Sequence, residues 1–188
     1  MMDTREPQMS NWMFTIRERM TANREGFRRF QKFAGFANSE IVTLDSMLCS
    51  EVITELRDED WEHNIHEDSL FCFFRDPKYL MQRQPLDTSK HQIVALFQPA
   101  DSLATCPADF ELCGHDIMDS HFGNSTLTNC GPIPEAFTST DTNEFGLIDE
   151  YDKAVQVRDK MRALQPNDPH LGKCEVWLIA RMLLNNSS

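Results

Sequence analysis

The chain has 188 residues, of which 40% are hydrophobic and 10% aromatic, and its formal net charge at pH 7 is −12. This length is typical of a single domain that can bury a core without disulfides. The negative charge disfavours nucleic acids and anionic membranes as partners, because both are bound through a surplus of lysine and arginine. It favours a basic protein partner, since opposite charge speeds encounter.

The N-terminus and the cysteines indicate a reducing compartment. The first residues, M-M-D-T-R-E-P-Q, lack the apolar segment of a secretory signal. No run approaches the roughly 18 apolar residues of a membrane span, so we expect a cytoplasmic protein. Six cysteines are scattered without a C-x-x-C pair, which favours free thiols. The sequence contains no phosphate loop, dinucleotide fingerprint or EF-hand, and no cofactor is predicted.

The first predicted elements are helical. Residues 1–9 are polar and are expected to be disordered, and Ser10 is a suitable N-cap. After Ser10, apolar residues recur at helical spacing, which predicts one long helix or two shorter helices that end by Gly35. The residues that carry this spacing are Met13, Ile16, Met20, Phe27 and Phe30.

Four later segments are predicted to be strands. Leu70–Phe74 and Ile93–Phe97 are five-residue apolar runs followed by turn residues, which is typical of buried strands. Phe110–Ile117 alternates apolar and polar residues over part of its length. Cys174–Leu184 has no clean period, so we interpret it as a strand buried on both faces, with a short buried helix as the alternative.

One further helix completes the predicted fold. Apolar residues between Asp149 and Leu164 form a stripe at helical spacing, and Pro166 enforces the end of the helix. We therefore predict one α+β domain over residues 1–188, with residues 185–188 disordered. Its mixed or antiparallel sheet of about four strands would be flanked by N-terminal helices and by the helix near residues 149–164.

The stretch Leu112–Glu135 concentrates groups that can do chemistry. Two cysteines and two histidines in it could form a Cys2His2 zinc site, with Cys113 and His115 on the same side of a strand. The alternative is a loop whose polar side chains satisfy its own turn amides. The predicted metal ligands are Cys113, His115, His121 and Cys130.

The same stretch could instead hold a cysteine nucleophile. Cys130 lies in T-N-C-G-P, where a glycine turn can expose a thiol. A nucleophilic thiol needs a base and a group that orients the base. His115 or His121 would be the base, and Asp116 or Asp119 would orient it. A structural thiol is the alternative.

The stretch Ser50–Asp68 is the densest acidic segment, since eight of its nineteen residues are acidic and only Arg57 is basic. Acidic clusters steer basic partners, and an aromatic side chain among them can anchor the contact. The predicted partner-binding residues are Glu51, Glu55, Asp58, Glu59, Asp60, Trp61 and Glu62.

Two functional hypotheses follow from these stretches. The first is a non-enzymatic interaction protein of the immunity type, which neutralises a basic partner through the acidic segment. The second is an enzyme, or a ligand- or metal-binding protein, that uses the Cys113–Cys130 loop. Neither hypothesis predicts an oligomeric state.

Overall fold

The fold is a four-stranded antiparallel sheet with one main helix packed against it, which confirms the predicted α+β class. A computed structural model describes residues 12–19, 28, 32, 40–42, 73–83, 86–98, 105–119, 125–127 and 135–183. Short 3-10 turns lie at Ser139–Asp141 and Leu171–Lys173. The strands and helices, in chain order, are β1 (Trp12–Glu18), α1 (Pro77–Arg83), β2 (His91–Phe97), β3 (Phe110–Met118), α2 (Tyr151–Leu164) and β4 (Glu175–Met182).

Strand β1 corrects the predicted N-terminal helix, which is wrong over residues 12–18. The segment is rich in aromatic and β-branched residues, and its side chains are buried on both faces of a sheet. The spacing from Met13 to Ile16 also fits a helix, so the helical interpretation followed the weaker of two patterns. Of the rest of the predicted N-terminal helices, only Arg19, Arg28 and Lys32 lie within the described residues.

The later predictions are largely confirmed. The runs at 93–97, 110–117 and 174–184 become β2, β3 and β4, and the helix near 149–164 becomes α2. The sheet has the order β1-β2-β4-β3, and every neighbouring pair is antiparallel. Most of the predicted strand Leu70–Phe74 lies outside the described residues. Phe74 forms a single antiparallel bridge with Phe14 and is not part of any of the four strands.

The sheet is buried on both faces. One face, which includes Phe14, Ile93 and Leu178, packs in a cluster with Ala154 and Met161 of α2. The other face packs in a second cluster with residues that precede or follow the strands. Double burial explains why β4 has no alternating pattern. The second cluster contains Met13, Val42, Phe73, Val94, Leu96, Cys113, Met118, Leu147 and Ile179.

A β-bulge interrupts the pairing of β3 with β4. Leu112 pairs with Ala180 and Gly114 pairs with Ile179, so Cys113 is an extra residue on β3. Gly114 has a φ of +134°, a conformation that side chains disfavour. A Cβ at Gly114 would also lie 3.0 Å from the Cβ of Leu147. Because of this extra residue, the side chains that follow the bulge point to the opposite face of the sheet from the one that regular alternation would give them.

None of the helices in the described ranges is both long and apolar enough to cross a membrane.

Candidate functional site

Strand β3 and the residue after it carry four of the predicted site residues. Cys113, His115 and Asp116 lie on β3, and Asp119 follows its last residue. His121 and Cys130 lie outside the described residues, so the metal site and the nucleophile that require them stay predictions. The predicted partner-binding residues Glu51, Glu55, Asp58, Glu59, Asp60, Trp61 and Glu62 also lie outside the described residues.

The bulge separates Cys113 from His115, and the expectation that both face the same side is wrong. Cys113 packs in the second cluster. His115 is paired with Leu178 and contacts the ring of Tyr151 on the α2 side, with 5.8 Å between ring centroids. Regular alternation would have placed residues two apart on one face, and the extra residue breaks it.

Burial keeps Cys113 and His115 in their uncharged forms. Burial raises the pKa of the Cys113 thiol to about 12, so a thiolate is disfavoured at neutral pH. Burial also lowers the pKa of His115 below its ordinary value. The Nδ1 atom of His115 lies 3.1 Å from the carbonyl oxygen of Ile148, which fixes the ring against the loop before α2.

Asp116 ties the Ser125–Leu127 segment to β3. Its carboxylate is fully buried, and Oδ1 accepts hydrogen bonds from Ser125 Oγ at 2.7 Å and from the N–H of Ile117 at 2.8 Å. Thr126 adds two bonds to the Ile117 carbonyl, from its N–H and its hydroxyl, each at 2.7 Å. Asp116 therefore holds the Ser125–Leu127 segment against β3.

Asp119 forms a hydrogen bond with His170, a residue that was not predicted as part of a site. Oδ2 of Asp119 contacts Nδ1 of His170. The carboxylate side chain is 4% exposed, whereas the imidazole side chain is 42% exposed. A buried carboxylate thus holds a histidine that solvent or another molecule can reach.

The turn that carries His170 is held by its own hydrogen bonds. Asp168 Oδ1 accepts from the N–H groups of His170 and Leu171, both at 2.8 Å, and these bonds lower the pKa of Asp168. The turn is also tightly packed, because a Cβ at Gly172 would lie 2.8 Å from the Pro166 carbonyl oxygen. The backbone that carries the imidazole of His170 therefore has a defined position.

The Asp119–His170 pair has the chemistry of a proton acceptor. A carboxylate bonded to Nδ1 favours the tautomer with its proton on that nitrogen, which makes Nε2 the basic one. The described ranges hold no group of three or more His, Cys, Asp or Glu side chains arranged to bind a metal. His115 contacts Ile148 and Tyr151. The structure therefore does not bring His115 together with Asp119.

Sequence reasoning missed His170 because 51 residues separate it from Asp119. The segment Q-P-N-D-P-H-L-G reads as a turn, and nothing local marks its histidine as the partner of an aspartate. The available signal was Asp168, two residues earlier, whose side chain is well suited to cap the backbone around a fixed histidine.

One charge network on the face of the sheet away from α2 joins β3, β4 and Arg19, the residue after β1. Glu40 bonds Arg19 at 3.0 Å and Arg181 at 2.7 Å, and Arg181 also bonds Glu111 at 2.5 Å. The ring of Phe145 lies 4.6 Å from the Arg181 guanidinium carbon. These arginines are therefore engaged within the chain.

Cationic side chains of α2 also form ion pairs with carboxylates of the same chain. Arg158 and Arg162 both bond Glu175 of β4, at 3.4 Å and 2.5 Å. Lys153 pairs with Asp141 at 2.9 Å. Several carboxylates near the start of α2 are by contrast exposed: Glu144, Asp149, Glu150 and Asp152.

Comparison of the chain with protein-family models, with curated proteins and with solved structures finds no match.

Proposed function

We propose that this chain is a non-enzymatic binding protein that captures a basic protein partner through its acidic surface, in the manner of an immunity protein. The charge distribution supports the proposal. The net charge is −12, and Arg19, Arg158, Arg162 and Arg181 are each engaged with carboxylates of the same chain. The unbalanced charge on the rest of the surface is therefore negative, which steers a basic partner.

The acidic stretch Ser50–Asp68 is the proposed contact surface. Its only basic residue is Arg57, so little opposes its negative charge locally. Trp61 supplies an aromatic side chain of the kind that dominates binding energy at protein interfaces. The surrounding carboxylates would set the rate of encounter, and the tryptophan would slow dissociation.

Capture from a lysate of the native cell tests this proposal with two matched variants. The first replaces Glu55, Asp58, Glu59 and Glu62 by their amides. The control replaces Glu135, Glu144, Glu150 and Asp152 in the same way. Both remove four negative charges. We expect the wild type and the control to recover the same basic protein at about 50 mM salt, and much less at about 300 mM.

The first variant should lose that protein at both salt concentrations. Equal recovery by the two variants would contradict the assignment of the surface. Recovery that does not change with salt would contradict the electrostatic argument.

A second candidate function rests on Asp119 and His170. In it, Nε2 of His170 accepts a proton from water as the water oxygen bonds to an acyl carbon. The bond from that carbon to the leaving alcohol then breaks, and the proton passes to the alcohol. Asp119 positions the imidazole and stabilises its protonated form. The pairing of a buried carboxylate with an exposed imidazole supports this hydrolytic reading.

Hydrolysis of p-nitrophenyl acetate tests the second candidate. We expect His170→Gln and Asp119→Asn each to lower the second-order rate constant at least about tenfold, because general base catalysis contributes 10²-fold or more. His91→Gln is the control, since His91 is a partly exposed histidine at the start of β2. Equal rates for the wild type and His170→Gln would eliminate this candidate.

A further inference from the structure

A second carboxylate lies beside the imidazole of His170. Asp168 precedes His170 by two residues, and its Oδ1 accepts a hydrogen bond from the backbone N–H of His170 at 2.8 Å. The carboxylate is therefore separated from Nε2 of His170 by little more than the length of one histidine side chain. Because Asp119 contacts Nδ1 of the same ring, two carboxylates lie close to one imidazole.

The two carboxylates differ in their surroundings. Asp119 is buried, whereas Asp168 is partly exposed. Across the described part of the chain, Asp168 forms no ion pair, and its hydrogen bonds go to the N–H groups of His170 and Leu171. The charge of Asp168 can therefore act on a molecule that approaches Nε2 of His170.

Asp168 is negatively charged at neutral pH. The hydrogen bonds from the N–H groups of Leu171 and His170 lower its pKa, and the charge of His170 lowers that pKa further. Lys173 is exposed at the end of the same turn and does not contribute to this shift. The negative charge beside His170 is thus not cancelled by a cation of the turn.

This charge bears on the hydrolysis described above as the second candidate function, on which the present inference rests. A negative charge favours the imidazolium that forms when Nε2 accepts the proton from water, and it opposes the negative charge that develops on the acyl oxygen. A positive group on the substrate offsets that opposition and is itself attracted to Asp168. We propose that Asp168 makes the Asp119–His170 pair selective for esters that carry a positive charge near the acyl carbon.

Two esters of nearly the same shape test the selectivity. One is the p-nitrophenyl ester of γ-trimethylammonio-butyrate, and the other has a carbon atom in place of the charged nitrogen. Each second-order rate constant is divided by that of free imidazole with the same ester, which removes differences in intrinsic reactivity. At an ionic strength of about 20 mM, we expect the wild type to favour the charged ester at least about threefold, and less at about 300 mM. Equal rate constants at low ionic strength would overturn the proposal.

Asp168→Asn is the decisive variant. The side-chain oxygen of asparagine can still accept from the two N–H groups, so the turn should keep its shape while the charge is lost. We expect the preference for the charged ester to disappear. Asp87→Asn is the matched control, because Asp87 Oδ1 accepts from the N–H of Ser89 in the turn before β2. That turn lies at the other end of the sheet from the start of β4, since β2 and β4 are antiparallel. The control should keep the preference, and an Asp168→Asn protein that also keeps it would contradict the role of Asp168.

His170→Gln separates failure of this inference from failure of the candidate function. If His170→Gln hydrolyses the uncharged ester as fast as the wild type does, the candidate function and the inference both fall. If His170→Gln is slower but the wild type does not favour the charged ester, the candidate function stands and the selectivity is wrong.

Discussion

Asn143 connects the bulge of β3 to the loop before α2. Its Nδ2 donates to the Cys113 carbonyl at 2.8 Å and to Asp149 Oδ1 at 2.6 Å. Its Oδ1 accepts from the N–H groups of Phe145 at 2.9 Å and Leu147 at 3.2 Å. One side chain therefore forms hydrogen bonds both with strand β3 and with the loop before α2.

We predict that Asn143→Ala lowers the free energy of unfolding by about 2–4 kcal/mol, because it leaves several backbone groups unpaired. Urea denaturation at pH 7 measures the loss. Asn167→Ala is the control, since Asn167 is exposed in the turn after α2 and should change stability by no more than about 0.5 kcal/mol. Similar losses for the two variants would contradict the role of Asn143.

The buried cysteines Cys113 and Cys174 should be slow to react in the folded protein. Burial raises the pKa of Cys113 to about 12 and that of Cys174 to about 11. Their thiolate fractions at pH 8 are therefore roughly a hundred- to a few thousand-fold below that of an ordinary thiol. We predict that iodoacetamide labels both only after unfolding, as read by peptide mass spectrometry.

The same labelling experiment tests the predicted nucleophile. A catalytic Cys130 would be labelled at pH 6 faster than free cysteine, because an activated thiol is already ionised there. A Cys130 that reacts no faster than free cysteine is a structural thiol. Rapid labelling of Cys113 in the folded protein would contradict its burial.

His115 should make the fold sensitive to mild acid. Burial lowers its pKa in the folded state, so the folded protein resists its protonation. An unfolded histidine titrates near pH 6.5, so the stability from neutral His115 is present above about pH 6.5 and is lost as the pH falls toward the folded pKa. We predict that His115→Gln reduces the loss of stability between pH 7.5 and 5.5. An identical loss in both proteins would contradict this.

At the scale of the elements, the burial of strand β1 can be tested at Phe14. Phe14 of β1 is fully buried, its ring lies 5.6 Å from that of Phe110, and its backbone exchanges two hydrogen bonds of 2.8 Å with Phe74. We predict that Phe14→Ala costs about 3–5 kcal/mol in urea denaturation. Met81→Ala in α1, where Met81 is 43% exposed, should cost far less. Equal costs would argue against a buried β1.

Sequence patterns predicted β2 and α2 from strong local signals, whereas the segment of β3 alternates only in part and that of β4 has no clean period. Ile93–Phe97 is apolar throughout, and the stripe of α2 ends at a proline. Strand β1 was missed because Met13 and Ile16 also satisfy helical spacing. Its pairing with β2 joins residues more than 70 positions apart, from Trp12 with Phe97 to Glu18 with His91. That long-range pairing, and not local preference, decides the conformation.

The candidate site was only partly predictable for the same reason. Asp116 and Asp119 were selected for their chemistry, but their partners Ser125 and His170 depend on how the chain folds back. The separation of Cys113 from His115 depends on a bulge that one glycine permits. A sequence can show a glycine on a strand but not whether it creates an extra residue in the pairing.

At the scale of the whole molecule, charge is the feature on which the proposed capture of a basic partner rests. Arg19, Arg158, Arg162 and Arg181 are tied to carboxylates of the chain, while carboxylates such as Glu144 and Asp152 remain exposed. The proposed partner surface lies in the acidic stretch Ser50–Asp68, where eight of nineteen residues are acidic.

The association rate constant of the captured partner tests the central claim most directly. Measured by stopped flow at ionic strengths from about 20 to 300 mM, it should fall at least about tenfold for the wild type, because steering between opposite charges is screened. The variant with amides at Glu55, Asp58, Glu59 and Glu62 should start lower and fall less. A rate constant that is independent of ionic strength, or identical in the two proteins, would contradict capture through the acidic surface.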